Sequence, residues 1–600
     1  MASTTATFND GIIPEPGIHR NNSPYYSGVR WVDGDKVRFS SNVPEKIGGW
    51  GREIIEGSFN GVPRRNLSWS SVSASSYSAI GTHLFLYVRS GGTYFNITPF
   101  RATSALANPL TTVSGSNSVN ILDTAHGARV GDWINIGTSV TYNGVTLLGD
   151  YEIKTVVDVD NFTITASTNA SANGTGGGAI TVNYYLEAGL ADSGSSGFGW
   201  GVGDYGEEEW GDARSVGLFG EARMWCLENW GEDLLALPLG GKLYFWDTSV
   251  GVGTRAAEVS GAPDRSNFMI MSSKFRQIIL FGTEDISSVF DPMLIRWSDS
   301  EDYTDFTPGV GSLAGEYRLT IGSKIIGALE TKNGEILVWT DSALYRMTPV
   351  ATSAVFRVEL VGKACGLLSP FAAADVDGTV IWMSNSSCKM YTGQVRNLPL
   401  SVEDYIFDPN SVGKFNDDQV IKFHVGINGD FNELWFFYAT TGSNEIDRYF
   451  IYNYGNNTSY DGTLNRTTWT DKALDARPIA YSSSGSLYVH ELGRNNDGSP
   501  MQSFIKTGQI DVTNGDDFLF VDKYIPDGIF NGEMTLTLFA RKYVASSQVS
   551  TKTYSIPQGT EKVDVRSRGR LLEVKLESNT ANGYYKLGRI KFASRTAGKR

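Results

Sequence analysis

The chain has 600 residues, 41% of them hydrophobic and 19% charged, which supplies several cores or one large repeat architecture and excludes a disordered protein. Its 67 glycines against 19 prolines, with 28 tyrosines, 30 phenylalanines and 14 tryptophans, favour short strands joined by tight turns over long helices. The formal charge of −14 is uneven: residues 561–600 hold eleven Lys and Arg against four Asp and Glu, and the first 560 hold forty against sixty-one, so the acidic body argues against sequence-specific duplex binding.

In chain order, the opening MASTTATFND has no basic residue ahead of an apolar run, and no apolar stretch approaches the roughly 18 residues that cross a bilayer. Synthesis in a cytosol without export is the expectation. Residues 31–50, WVDGDKVRFSSNVPEKIGGW, predict two short strands about a turn at Asp33-Gly34, with Lys36-Val37-Arg38-Phe39 alternating out of it and Pro44 and Gly48-Gly49 punctuating the chain beyond. Val37 and Phe39 are expected to face a core, and Trp31 and Trp50 to anchor packing. The chemistry of the stretch is that of scaffold.

A short unit, turn residues followed by aromatic and β-branched residues, then recurs: THLFLY at 82, GKLYFW at 241, RQIILF at 276, GEILVW at 334, GTVIWM at 378, NELWFF at 432 and GSLYVH at 485. From 334 onward the steps are 44, 54 and 53 residues, near the roughly 40–50 per blade of a β-propeller, whose inner strands are its most apolar. An array of β-sandwiches is the competing reading. Neither a WD40 signature nor a sialidase-type Asp box is present.

The long gap after 82 holds an insertion. Residues 103–186 alternate strictly in Tyr151 to Val157 and Asn161 to Thr165 about a turn at 158–160, which describes a small β-barrel or sandwich looped out of a blade. His126 and Asp132 within it lack a third metal ligand nearby, so a structural role is expected. Next, Phe198 to Leu234 carries nine Asp and Glu against two Arg, and Trp200, Trp210 and Trp230 each precede a Gly. Without periodicity, this stretch reads as a loop that docks its tryptophans on a neighbouring subunit. Glu207, Glu208 and Glu209 are adjacent on that loop, unlike two carboxylates held across a sugar. From 505 onward, successive strand candidates predict a terminal β-sandwich in which LLEVKL (571–576) and GRIKF (588–592) form a strand pair with charged outward faces.

The expected fold is therefore all-β: a β-propeller-like core with an inserted small β-barrel or sandwich and a C-terminal β-sandwich. Its parts are an N-terminal segment with the first blade or blades (1–102), the insertion (103–186), a Gly/Trp/acidic loop region (187–240), the remaining blades (241–504) and the terminal sandwich (505–600). The five histidines are dispersed, Cys226, Cys365 and Cys388 fit no disulfide framework or zinc spacing, and no nucleophile elbow, phosphate loop or H-E-x-x-H occurs. No catalytic residue, metal or cofactor is expected, and an assembly component is favoured over an enzyme.

The run Trp31-Val32-Asp33-Gly34-Asp35-Lys36-Val37-Arg38-Phe39 with Pro44-Glu45-Lys46-Ile47-Gly48-Gly49-Trp50 resembles the N-terminal signature of tail nozzle proteins of short-tailed bacteriophages, also called tail tubular protein B or packaged-DNA stabilisation protein. NWGEDLLALPLGGKLYFWD at 229–247, SVFDPMLIRWSDSEDYTDFTP at 288–308 and GYYKLGRIKFASRTAGKR at 583–600 are similar to the same family. The insertion resembles a small β-domain that recurs in phage structural proteins. The resemblance implies a virion tail protein assembled in the bacterial cytoplasm: six copies in a ring below the tail adaptor, a channel through which double-stranded DNA leaves, and a gate that holds it until contact with the host surface. Fibres or receptor-binding proteins are further implied partners, with the insertion as the candidate attachment point. The alternative is a glycan-binding or glycan-degrading propeller acting on the host surface, for which stacked tryptophans and acidic loops would be the equipment.

Overall fold

A computed structural model describes residues 11–23, 25–57, 59–72, 74–194, 220–350, 355–472, 474–511 and 517–598. The chain divides into two compact units, one made of the residues up to Ile54 together with those from Leu319 onward, the other of Ile55–Arg318. Strands dominate both, and among the described residues no helix is long and apolar enough to cross a membrane.

The middle unit contains three four-stranded antiparallel meanders. Sheet I is Pro63–Ser70, Ser76–Thr82, Leu86–Ser90 and Thr93–Asn96; sheet II is Trp225–Trp230, Asp233–Pro238, Tyr244–Trp246 and Ala257–Glu258; sheet III is Ser266–Ser272, Gln277–Glu284, Phe290–Trp297 and Gly315–Arg318. The other unit continues the series. Sheet IV is Ile325–Glu330, Ile336–Thr340, Ala343–Pro349 and Phe356–Lys363; sheet V is Ala373–Val376, Thr379–Met383, Cys388–Tyr391 and Val395–Asn397; sheet VI is His424–Asn428, Glu433–Tyr438, Arg448–Asn453 and Thr458–Thr463. Sheet VII orders Ile479–Tyr481, Leu487–His490, Trp50–Glu53, Asn495–Asn496 and Ser499–Pro500, so a strand from the start of the chain lies inside a sheet built near its end.

Four-stranded meanders following one another in sequence are the building plan of a β-propeller, and the fold is all-β and propeller-like. Each of the seven recurring apolar units falls on an inner strand of a different sheet, the third in sheets I and II and the second in the other five. The physical reason is burial on both faces: Ile336–Thr340 and Glu433–Tyr438 are buried at every position.

Between sheets I and II the chain builds the inserted domain, an eight-stranded β-structure ordered Phe100–Ala107, Ala179–Tyr185, Trp133–Tyr142, Val145–Val156, Asn161–Thr165, Ser118–Leu122, Leu110–Thr112 and Gly174–Gly176. Its own core holds Val119, Ile121, Ile134, Ile136, Leu147, Ile153, Phe162, Ile164 and Val182. The domain's entry and exit meet where the Leu186 amide donates to the Pro99 carbonyl at 3.0 Å. His126 is structural: its Nδ1 accepts from the Ala128 amide at 2.9 Å and its ring meets Phe162 edge-on. Asp132 accepts from the Arg129 and Ala188 amides at 2.9 and 3.0 Å.

The terminal sandwich recruits the N-terminus. One sheet orders Glu15–Ile18, Arg30–Asp35, Ser503–Thr507, Leu571–Ser578, Met534–Arg541 and Val549–Ile556; another orders Val37–Ser40, Val43–Lys46, Tyr584–Leu587 and Gly528–Asn531; a third contains Val563–Gly569, Leu519–Ile525 and Lys591–Thr596. Residues 15–46 therefore belong with the last hundred residues rather than heading the first blade. Leu571–Ser578 is a strand, as expected for 571–576, whereas of 588–592 only Lys591 and Phe592 are strand, at the head of Lys591–Thr596; the two strands lie in different sheets and do not pair. Alternation reports which face of a strand is buried; it carries no information on which distant strand is its neighbour. Cys226, Cys365 and Cys388 are all buried free thiols, and burial pushes Cys226 up to about 12.

Candidate functional site

Residues 31–50 form a junction instead of one hairpin. Asp33-Gly34 is not the turn: Arg30–Asp35 is a single strand running through both residues, with Gly34 opposite Ile505. Gly34 serves close approach, since a Cβ there would stand 3.0 Å from Ile18 Cδ1 and 3.2 Å from the Phe504 carbonyl oxygen. The tight turn falls at Ser41-Asn42, whose φ values of 53° and 65° suit a two-residue hairpin loop, and it joins Val37–Ser40 to Val43–Lys46 with Phe39 opposite Pro44. The Asp-Gly pair mimicked a hairpin signal that the true turn, with a serine, did not display.

Trp31, Val37, Phe39, Pro44 and Trp50 are buried, and Phe39 packs on Tyr460 with centroids 5.5 Å apart. Gly48-Gly49 lets the chain enter sheet VII: a Cβ on Gly49 would fall 2.3 Å from the Asn495 carbonyl oxygen and 2.5 Å from its nitrogen. Beyond it the Trp50 indole donates to Asn496 Oδ1 at 2.7 Å, and its ring faces His490 at 5.4 Å. His490 Nε2 accepts from Arg466 Nε at 2.8 Å; burial first, then the Arg466 charge, holds this imidazole well below its ordinary pKa, in the neutral form the bond requires.

The centre of the junction is Arg38. Its Nε and Nη2 form a fork on Glu433, at 2.9 Å to Oε1 and 3.0 Å to Oε2, while Nη2 and Nη1 reach Glu491 Oε1 and Oε2 at 2.6 and 3.2 Å. The Phe431 ring lies 3.4 Å from the guanidinium carbon. Burial alone would pull the pKa of Arg38 down; the carboxylates of Glu433 and Glu491 outweigh it and hold the pKa above its ordinary value. Glu433 is fully buried and also accepts from Tyr460 Oη at 2.7 Å and Trp435 Nε1 at 2.9 Å. Bidentate pairing with every lone pair occupied is the condition under which a buried ion pair offsets its desolvation. One side chain thus ties the hairpin at 37–46 to the head of an inner strand of sheet VI and to the residue after an inner strand of sheet VII.

A second ion cluster flanks it. Arg20 donates to Asp33 at 2.6 Å and to Asp461 at 2.8 Å, Asp461 also pairs with Arg448 at 2.8 Å, and both guanidinium groups lie over the Tyr405 ring. Asp35 accepts from the Thr463 amide at 2.8 Å and from Lys36 at 2.6 Å. Lys46 is buried with its ammonium on the Met501 carbonyl at 2.6 Å, and burial lowers its pKa to about 8, with Arg494 and Lys36 adding to the shift. Glu433 and Glu491 were not singled out from sequence, although a carboxylate heading the apolar run NELWFF is a signal that a buried cation must answer it.

Of the three tryptophans assigned to a docking loop, Trp200 and Trp210 lie outside the described residues, as do Glu207, Glu208 and Glu209. Trp230 closes the strand Trp225–Trp230 of sheet II, where it is buried, meets Tyr303 edge-on at 5.5 Å and sits under Arg276 at 4.9 Å. Residues 225–230 and 233–234 are strand, not loop, because Asp233–Pro238 folds back to pair with them.

The stretches that carried the family resemblance meet in pairs within each unit. In one, Glu45 of the first stretch pairs with Lys586 of the last, accepts from Tyr584 at 3.1 Å and forms an ion pair with Lys586 at 3.3 Å. In the other, Tyr303 of 288–308 is packed by Trp230 and stacked at 4.6 Å by Phe245, both of 229–247.

No family model matches the chain, and no curated protein matches it in sequence. Among solved structures it is similar to the phage phi92 endosialidase at 12% identity over 84% of this chain and 64% of that one, with a TM-score of 0.16. The chain thus spans less than two thirds of that enzyme's length. It is also similar to the extracellular domain of a putative hybrid two component system from B. thetaiotaomicron, at 11% identity over 90% and 84% of the two chains with a TM-score of 0.31. A third is PorZ, a surface component of the type-IX secretion system of Porphyromonas gingivalis, at 9% identity over 93% and 87% with a TM-score of 0.30. Likeness at these scores carries no statement about activity.

Proposed function

We propose that this chain is a structural subunit of the tail of a short-tailed bacteriophage, a nozzle protein that works mechanically: six copies form a ring that retains packaged DNA and conducts it during ejection. The observation that supports this most is the pairing of the resembling stretches. Pieces separated by more than five hundred residues in one unit, and by some forty in the other, are in contact, so the resemblance falls on two physical junctions instead of four unrelated segments.

The charge distribution fits the same role. A conduit must let a polyanion slide, and the excess of carboxylates over the first 560 residues avoids the counterion release that makes a basic wall adhesive. The terminal region offers a different surface: on the strand Val563–Gly569, Val565 and Ser567 are buried while Arg566 and Arg568 are exposed, and Arg595, paired with Asp522 at 3.5 Å, lies in the same sheet on the far side of Leu519–Ile525. That basic face suits an acidic patch on the adaptor or on a neighbouring copy, where complementary charge sets register. The inserted domain, with its own core, is the proposed site for fibres or receptor-binding proteins.

Native mass spectrometry of the full chain, alone and with the tail adaptor of the same particle, tests the proposal. Hexamers, formed alone or on the adaptor, are expected. A chain that stays monomeric under both conditions and is missing from purified particles would overturn it, and release of reducing ends from host polysaccharide would favour the glycan-degrading alternative.

A further inference from the structure

The middle unit holds a cleft of about 780 Å³ between the first strand of the inserted domain and sheet II, within the range that takes a small organic ligand. Four cationic side chains line it, Arg101, Arg223, Lys242 and Arg255, against two carboxylates, Glu187 and Glu258. The carboxylates are engaged: Glu258 pairs with Lys242 at 2.7 Å, and Glu187 pairs at 3.3 Å with Arg129, which is outside the lining. Arg255 is built into the wall, donating to Asn96 Oδ1 and Tyr185 Oη at 2.9 Å each.

Arg101 and Arg223 are different. Arg101 comes no nearer than 3.9 Å to Asp132, and its buried Nε and Nη2 have no hydrogen-bond partner. Arg223 donates to the Glu187 main-chain carbonyl. Burial pulls the Arg223 guanidinium below its ordinary pKa, and the raising influence of Glu187, Tyr244 and Asp132 does not restore it. Two guanidinium groups thus line a concave site, Arg101 lying over the Tyr184 ring with Asp132 at 3.9 Å, and neither makes a hydrogen bond to a carboxylate, although a guanidinium fork is shaped to bind one. The same walls present the rings of Phe100 and Tyr244 and the two carboxylates, which accept from hydroxyl groups.

We propose that this cleft binds a sugar acid, with Arg101 and Arg223 holding its carboxylate and Glu187 and Glu258 accepting from its hydroxyls. The site is independent of the nozzle reading, for it lies wholly inside one unit and stands whether or not the chain forms a ring. Calorimetric titration of the full chain with glucuronate, glucose, a glucuronate-terminated disaccharide and inorganic phosphate tests it, together with the variants Arg101→Gln and Arg223→Gln. Glucuronate is expected to bind, glucose at least about tenfold more weakly, and each variant to lose about tenfold or more, the share of one charge-assisted hydrogen bond. Tighter binding of the disaccharide supports the end of a glycan chain as the source, and equal binding supports the free acid. Where a glutamine variant fails to fold, Arg101→Lys or Arg223→Lys replaces it, keeping the charge and losing the planar fork, with a loss of affinity again expected. No binding of glucuronate, binding unchanged in the arginine variants, or phosphate binding as tight as that of the sugar acid would overturn the proposal.

Discussion

Replacing Arg38 by Met removes four charge-assisted hydrogen bonds and leaves Glu433, which is fully buried, without its counter-charge. Breaking a buried pair from one side costs about 3–5 kcal/mol, because the surviving carboxylate keeps its desolvation penalty and loses its attraction. Arg38→Lys keeps a charge but cannot span both carboxylates, so an intermediate loss of about 2 kcal/mol is expected. The decisive variant is Arg38→Met with Glu433→Gln: removing both charges should recover about 1–2 kcal/mol relative to Arg38→Met, since the amide oxygen can accept from Trp435 while the amide NH2, in place of the other oxygen, donates to the Tyr460 hydroxyl. Urea unfolding is followed by tryptophan fluorescence, to which Trp435, donating to Glu433, contributes as one of fourteen tryptophans. A single variant within about 1 kcal/mol of the parent, or a double variant that is simply the sum of its parts, would refute the view of Arg38 as the clamp of the junction.

Trp31 Nε1 is buried without a partner, whereas Trp50 Nε1 donates to Asn496, so Trp31→Phe should cost less than about 1 kcal/mol and Trp50→Phe about 1–3 kcal/mol in thermal or urea melts, with the alanine variants of both at about 3–5 kcal/mol. Gly49→Ala should cost about 2 kcal/mol or more and raise amide exchange at 495–496, where the added carbon would collide; unchanged exchange would contradict the entry of 50–53 into sheet VII. Because burial lowers Lys46 to about 8 from an ordinary 10.5, the unfolded chain binds more protons between those values. The cost of burying it is full below pH 8 and is relieved as pH rises toward 10.5, so the stability advantage of Lys46→Met at pH 7 should shrink by pH 10; a constant gap would refute it. Deleting 100–185 and joining Pro99 to Leu186, already 3.0 Å apart by hydrogen bond, should leave assembly intact at the expense of Phe85 packing on Trp133 and Tyr185, and should impair adsorption of the particle; lost assembly would contradict the division of labour.

The propeller-like plan was legible because inner strands are buried on both faces and advertise themselves as dense apolar runs. GEILVW and NELWFF lie on such strands, and one recurrence marks each sheet. The inserted domain was legible because its alternation is local and its core is its own. Partner choice was not: that Arg30–Asp35 would lie against Ser503–Thr507, or Trp50–Glu53 inside sheet VII, depends on contacts across more than four hundred residues that leave no mark on periodicity. Asp33-Gly34 misled for a related reason, since a glycine that permits a turn also permits close packing, and the neighbours at Ile18 and Phe504 distinguish them. Arg38 stood out through resemblance alone. The cleft with Arg101 and Arg223 was invisible, because its residues come from strands that are brought together only in the fold.

The most direct test of the tail assignment is a cryo-electron map of the particle that contains this chain. Six copies in a ring around the DNA path, with the basic face at 566 and 568 against an adjoining component and the inserted domain carried outward, are predicted. A tail complete without this chain, or one holding it in any symmetry other than six-fold, would contradict the account.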